Sequence, residues 1–143
     1  MRIFLDANVL FSAAKSAGAI RHLLQDLHTE NHRLVADQYV ATEARRNVAV
    51  KAGDEAMAYL QALLAQIEVS PVHDPAVTED SVAWLPAKDR PVLMATMALK
   101  CDVLVTGDRA HFGAGYGKTF GGVIVYSPAQ LALAIFGPAP RTS

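Results

Sequence analysis

Short unbroken apolar runs alternate along the chain with longer stretches in which apolar residues recur every three or four positions. Arg2-Ile3-Phe4-Leu5 is the first run; it stops at Asp6 and reads as a buried strand. Asn8 to Lys15 follows as a short helix, which Gly18 breaks. From Ala19 to His28, residues Ile20, Leu23, Leu24 and Leu27 share one helical stripe. Arg33 to Ala36 is a second strand, and Gln38 to Lys51 a helix that turns Tyr39, Val40 and Ala44 inward. Asp54 is placed to cap a helix from Glu55 to Gln66, with Met57, Leu60, Leu63, Leu64 and Ile67 as its stripe. Glu68 to Val72 reads as a third strand closed by Pro71 and Pro75, Asp74 to Pro86 as loop or short helix, and Pro91 to Lys100 as helix. Asp102 to Thr106 is a strand ended by Gly107; residues 113–122 are glycine-rich and read as loop. Val123 to Tyr126 is the last strand and Pro128 to Ile135 the last helix. Gly137 to Ser143 holds two prolines and is expected to be a flexible tail.

This alternation predicts one α/β domain over residues 1–136, with a parallel central sheet of about five short strands flanked by helices. Strands without polar alternation fit a sheet covered on both faces, joined by right-handed crossovers. Ligands of such sheets bind outside the carboxyl ends of the strands. The 143 residues suffice for one core without disulfide staples, and 52% of them are hydrophobic, which excludes a disordered chain. Cys101 is the single cysteine; it sits among apolar residues and reads as a buried thiol in a reducing cytoplasm. Asp6 interrupts the N-terminal apolar run too early for a signal peptide, and no membrane span is expected. A net charge of −1 leaves no general electrostatic footprint for nucleic acid, so any phosphate contacts must be local.

Several acids fall where this architecture gathers ligands. In Leu5-Asp6-Ala7-Asn8 an acid and an amide directly follow the first strand, though Asp and Asn are equally favoured as helix caps. Thr106-Gly107-Asp108-Arg109 follows the fourth strand, where Gly and Asp are also ordinary turn residues. Asp89 opens a helix in Lys88-Asp89-Arg90-Pro91 and alone reads as a cap. Glu43 lies within a helix, where a Glu is ordinarily a solvated surface residue. Glu79 and Asp80 compete with it, but no strand end precedes them.

Taken in order, these fragments resemble the PIN-domain family over most of the chain. An Asp-x-Asn-Val-Leu segment ends the first strand, and a Glu lies in the helix after the second. The helix Asp89-Arg90-Pro91-Val92-Leu93-Met94-Ala95-Thr96-Met97-Ala98 leads into Cys101-Asp102-Val103-Leu104-Val105, then Thr106-Gly107-Asp108, with Phe112 shortly after. The resemblance implies a PIN-like, Rossmann-like three-layer fold. It carries the family's four acids onto Asp6, Glu43, Asp89 and Asp108, with Asn8 and Thr106 as supporting polar residues. It implies an Mg²⁺- or Mn²⁺-dependent ribonuclease in which Asp6, Asp89 and Asp108 bind metal and Glu43 completes the shell or orients water. It also implies the toxin of a type II toxin–antitoxin pair, VapC-like, with RNA as substrate, a small antitoxin as partner, and a homodimer as a further expectation. The apolar helix around Leu131, Leu133, Ile135 and Phe136 is the candidate dimer face, although core packing is the commoner use of such a stripe.

The residue types suit that chemistry. Hard divalent cations prefer carboxylate oxygens. Two carboxylates about 4 Å apart repel by about 4 kcal/mol at an effective dielectric near 20, worth roughly three pKa units, so a metal-free cluster is expected to retain a proton. Arg45, Arg46 and Lys51 after Glu43, Lys88 and Arg90 beside Asp89, and Arg109 and His111 after Asp108 are candidate phosphate contacts, each otherwise an ordinary solvated charge. The pair His28 and His32 does not form His-Glu-x-x-His and fits a helix end better than zinc. No Gly-x-Ser-x-Gly elbow, phosphate loop or dinucleotide fingerprint occurs, and Trp84 reads as packing. Two other readings stand beside the nuclease: a phosphatase-like domain using Asp6 as nucleophile, and a non-catalytic PIN-like module that binds RNA or protein. The first is disfavoured by Asn8, where such enzymes usually carry a second acid.

Overall fold

Six strands form one sheet in a computed structural model that describes residues 1–72 and 80–138. They are β1 (Arg2–Leu5), β2 (Arg33–Asp37), β3 (Glu68–Ser70), β4 (Val103–Val105), β5 (Thr119–Phe120) and β6 (Val123–Tyr126), in the order β3-β2-β1-β4-β6-β5. All neighbours pair in parallel except β5, which runs antiparallel to β6 at the edge. Ile3, Phe4, Leu5, Leu104 and Val105 have no exposed surface, which is why β1 and β4 are unbroken apolar runs rather than alternating ones.

Helices α1 (Ala7–Lys15), α2 (Ala19–Thr29), α3 (Gln38–Lys51) and α4 (Gly53–Gln66) lie within the steps from β1 to β2 and β2 to β3. Both steps move the same way along the sheet, so right-handed crossovers put these helices on one face, where they pack on one another. The return from β3 to β4 brings α5 (Arg90–Ala98) to the opposite face, against β4. The four-residue α6 (Arg109–Phe112) follows β4, and α7 (Pro128–Phe136) closes the described chain with Ser127 and Gln130 as a reciprocal capping box. The strand order reverses between β1 and β4, the switch point at which open α/β sheets bind ligands.

The single α/β domain agrees with the sequence reading; several elements differ. The stretch read as a glycine-rich loop contains β5, turned into β6 by Gly121 and Gly122, both at positive φ. Two consecutive positive φ values are what a two-residue hairpin of the Gly-Gly type requires. Helix α4 begins at Gly53, so Asp54 sits inside its first turn rather than capping it. The third strand ends at Ser70 rather than Val72. Leu131 belongs to the core, whereas Leu133 and Phe136 are exposed on α7. Trp84 packs as expected, stacked on Phe120 at 4.9 Å and edge-on to Phe112 at 6.3 Å. Cys101 is buried, and burial pushes its thiol up to about 11, so it stays protonated. Glu79 and residues 139–143 of the expected tail lie outside the described residues.

Candidate active site

The two edges of the sheet treat their charges differently. At the amino edge, the Arg2 guanidinium meets Glu68 at 2.8 Å and donates to the Leu99 carbonyl, while the Arg2 backbone N–H donates to Asp102. Arg2 therefore holds the Glu68 carboxyl below its ordinary range. At the carboxyl edge, no Lys or Arg pairs with Asp6, Glu43, Asp89 or Asp108 among the described residues.

Asp6 ends β1 and caps α1, as the capping reading requires. Its Oδ1 accepts the Ala7 N–H at 2.8 Å. Its Oδ2 accepts the Thr106 hydroxyl at 2.8 Å and, more weakly, the Asn8 amide at 3.3 Å. The Asn8 carbonyl oxygen in turn accepts the Gly107 N–H at 2.7 Å, which ties the start of α1 to the end of β4. Asp6 is 5% exposed, and its pKa is pushed up to about 6. Burial is the largest cause; the charges of Glu43 and Asp89 add to it, and the hydrogen bonds from Thr106 and Ala7 oppose it. Charge repulsion was the expected cause, so desolvation outweighing it is a correction.

Asp89 and Asp108 arrive from different elements. Asp89 precedes α5 but makes no capping hydrogen bond, so the helix does not account for its side chain. Asp108 caps α6 through Oδ1, which accepts the His111 N–H at 3.2 Å. His111 Nδ1 approaches Asp89 Oδ2 at 3.0 Å and Asp108 Oδ2 at 2.9 Å. Burial raises the Asp89 pKa, helped by Asp108 and opposed by His111 and Lys88. Tyr39 spans the site from α3, its hydroxyl donating to the Lys88 carbonyl at 2.9 Å. Glu43 follows one turn later on α3; it is exposed and close enough to raise the pKa of both Asp6 and Tyr39, although burial is the larger cause in each.

Sequence reasoning treated His111 only as a phosphate contact and did not single out Tyr39 or Tyr116 for the site. The Tyr116 hydroxyl donates to the Thr106 carbonyl at 2.7 Å. Of the basic residues, Lys88 stands next to Asp89 and Arg109 is exposed beside Asp108. Arg90 instead folds back to donate to the Leu85 and Ala83 carbonyls at 2.9 and 3.1 Å. Arg45 and Arg46 lie on α3 beyond Glu43 and make no ion pair with the acids. His28 and His32 form no ligand cluster with other acids or thiols among the described residues.

The acids and His111 fit a divalent cation. One atom each from Asp89, Asp108 and His111 falls within a 4.8 Å span, and Asp89 Oδ2 and His111 Nδ1 are buried without hydrogen-bond partners. Unpartnered polar atoms that converge from separate elements are what a bound cation satisfies.

Fold and site together define an α/β domain with an acidic centre at the carboxyl edge of a parallel sheet. The chain belongs to the PIN-domain family: the PIN domain matches residues 2–110, a span that contains all four acids. No curated protein matches the chain in sequence. Solved structures share its fold. A chain of VapBC2 from Rickettsia felis, in a complex with a DNA fragment from its promoter, superposes with a TM-score of 0.63 at 14% identity, covering 89% of this chain and 98% of that one. Mycobacterium tuberculosis VapC20, described as a Sarcin-Ricin loop cleaving toxin, gives 0.59 at 13% identity, covering 82% and 98%. A chain of FitAcB from Neisseria gonorrhoeae gives 0.58 at 20% identity, covering 89% and 98%.

Proposed function

We propose that the protein is a metal-dependent endoribonuclease and the toxin of a toxin–antitoxin pair, held in check by a small antitoxin in the cytoplasm. The observation that carries the reading is the contrast between the sheet edges: an arginine pairs the acid at one, whereas at the other Asp89 and Asp108 converge with His111 and no Lys or Arg ion pair among the described residues. Family membership and the toxin complexes among the structures of the same fold support it.

Asp89 and Asp108 would hold Mg²⁺ or Mn²⁺; Asp6, expected as a third ligand, lies outside the ligand group of Asp89, Asp108 and His111 and would act from beside it, near enough to feel the Asp89 charge. A bound divalent cation supplies activation of water and neutralisation of the charge that builds on the phosphate. Thr106 and Asn8 fix the Asp6 carboxylate by hydrogen bonds. Glu43, exposed and near enough to raise the Asp6 pKa, would orient the attacking water. Lys88 and Arg109 supply local positive charge for the RNA backbone, which a net charge of −1 does not provide globally. The phosphatase alternative is disfavoured because Asn8 stands where a second acid is usual, and its amide side chain is engaged with Asp6 and Gly107.

The test is incubation of the purified protein, with Asp89→Asn and Asp108→Asn variants, with RNA and single-stranded DNA in Mg²⁺, Mn²⁺ or chelator. RNA cleavage that needs metal and both carboxylates is the expected result. A folded protein that binds metal yet cleaves no RNA from a total cellular pool would refute the nuclease.

A further inference from the structure

His111 lies one residue beyond the matched family span, on a four-residue helix whose only other inward side chain is Phe112. Its backbone and ring engage the same acid: the N–H is donated to Asp108 Oδ1, and Nδ1 stands 2.9 Å from Asp108 Oδ2. The same Nδ1 stands 3.0 Å from Asp89 Oδ2. Asp89 Oδ2 and His111 Nδ1 are buried and form no well-aligned hydrogen bond, although His111 still lowers the Asp89 pKa. A charged imidazole between the two carboxylates is one occupant of this geometry.

A cation held by all three groups is the other. The separations from Nδ1, 3.0 and 2.9 Å, bring one nitrogen and two carboxylate oxygens from separate elements close enough to share one ion. Imidazole nitrogen suits transition-metal ions, whereas Mg²⁺ favours an all-oxygen shell.

We infer that His111 is a direct metal ligand through Nδ1, completing a site with Asp89 and Asp108. The inference rests on the metal-dependent reading above and deepens it by adding a nitrogen donor.

The experiment is Mn²⁺ binding by the full chain, followed by calorimetry and by pulsed EPR, with His111→Gln, His111→Ala and Asp108→Asn as variants. The wild type should show the ¹⁴N coupling of a directly bound imidazole. Both His111 variants should lose it and bind Mn²⁺ at least roughly tenfold more weakly. Circular dichroism and melting confirm that each variant is folded, and the glutamine variant keeps a side chain of polar character in the place of the ring. Mn²⁺ bound with unchanged affinity and no ¹⁴N coupling overturns the ligand assignment while leaving the acidic metal site intact. Absence of any Mn²⁺ binding that depends on Asp108 overturns both.

Discussion

Replacing Asp6 by asparagine removes a charge from a place where charge is expensive, and the structure sets the size of the effect. Asp6 is 5% exposed and titrates near 6, against about 3.9 for an unperturbed aspartate. Two units correspond to roughly 3 kcal/mol by which the ionised carboxylate weakens the metal-free fold at neutral pH. The sign follows from proton counting. Between the two pKa values the native state binds more protons than the unfolded chain, so stability falls as pH rises through about 6. Asparagine abolishes that penalty but puts an N–H₂ where Oδ2 accepted from Thr106 and Asn8, at a cost of about 1–2 kcal/mol. Metal-free Asp6→Asn is therefore expected to be about 1 kcal/mol more stable than the parent at pH 7.5, a gain of about 4 °C in Tm. The penalty removed shrinks to about half near pH 5 and is nearly gone near pH 4, where the variant should be the less stable of the two. The assay is thermal and urea unfolding in chelator from pH 4 to 8, repeated with Mn²⁺, which should stabilise the parent more than the variant. A pH-independent difference, or a variant already less stable at pH 7.5, would refute the argument that burial governs this carboxyl.

Three further outcomes follow. Arg109→Ala should weaken RNA binding and lower its salt dependence by about one phosphate contact, whereas Arg90→Ala should leave affinity unchanged and cost stability, because its guanidinium is spent on the Leu85 and Ala83 carbonyls; equal effects on RNA affinity in filter-binding titrations would contradict this division. Gly115→Ala should destabilise by about 1–3 kcal/mol in urea unfolding, since a Cβ there lies 2.5 Å from Trp84 Cη2 and 2.9 Å from its Cζ2; an unchanged midpoint would mean that the indole moves freely. Tyr116→Phe should lower the melting temperature by about 4 °C through loss of a roughly 1 kcal/mol hydrogen bond to the Thr106 carbonyl, and a full-strength melt would show that carbonyl to be satisfied by another donor.

How far the sequence could be read depended on how many constraints met at each residue. Strands β1 and β4 are legible because burial on both faces leaves unbroken apolar runs, and Asp6 and Asp108 follow at their carboxyl ends. Strand β5 is not, because its two residues, Thr119 and Phe120, are too few to show a period. Its one local signal, Gly121-Gly122 between Phe120 and Val123, is a hairpin turn signature that was absorbed into a glycine-rich loop. The placement of His111 was hidden for a related reason. Arg109-Ala110-His111 carries no apolar periodicity, so α6 is invisible until Asp108 is seen to cap it. Only a helical turn brings a side chain three residues on from Asp108 back over its carboxylate. Arg90 and Arg109 make the converse point. Each is an arginine immediately after a site acid, and nothing in their neighbours tells them apart. The difference lies in the backbone: the turn before α5 presents two carbonyls to Arg90, while Arg109 at the start of α6 remains exposed. A charge beside an acid is thus a substrate contact only where the local chain leaves it nothing else to bind, which is a property of turns rather than of residue types.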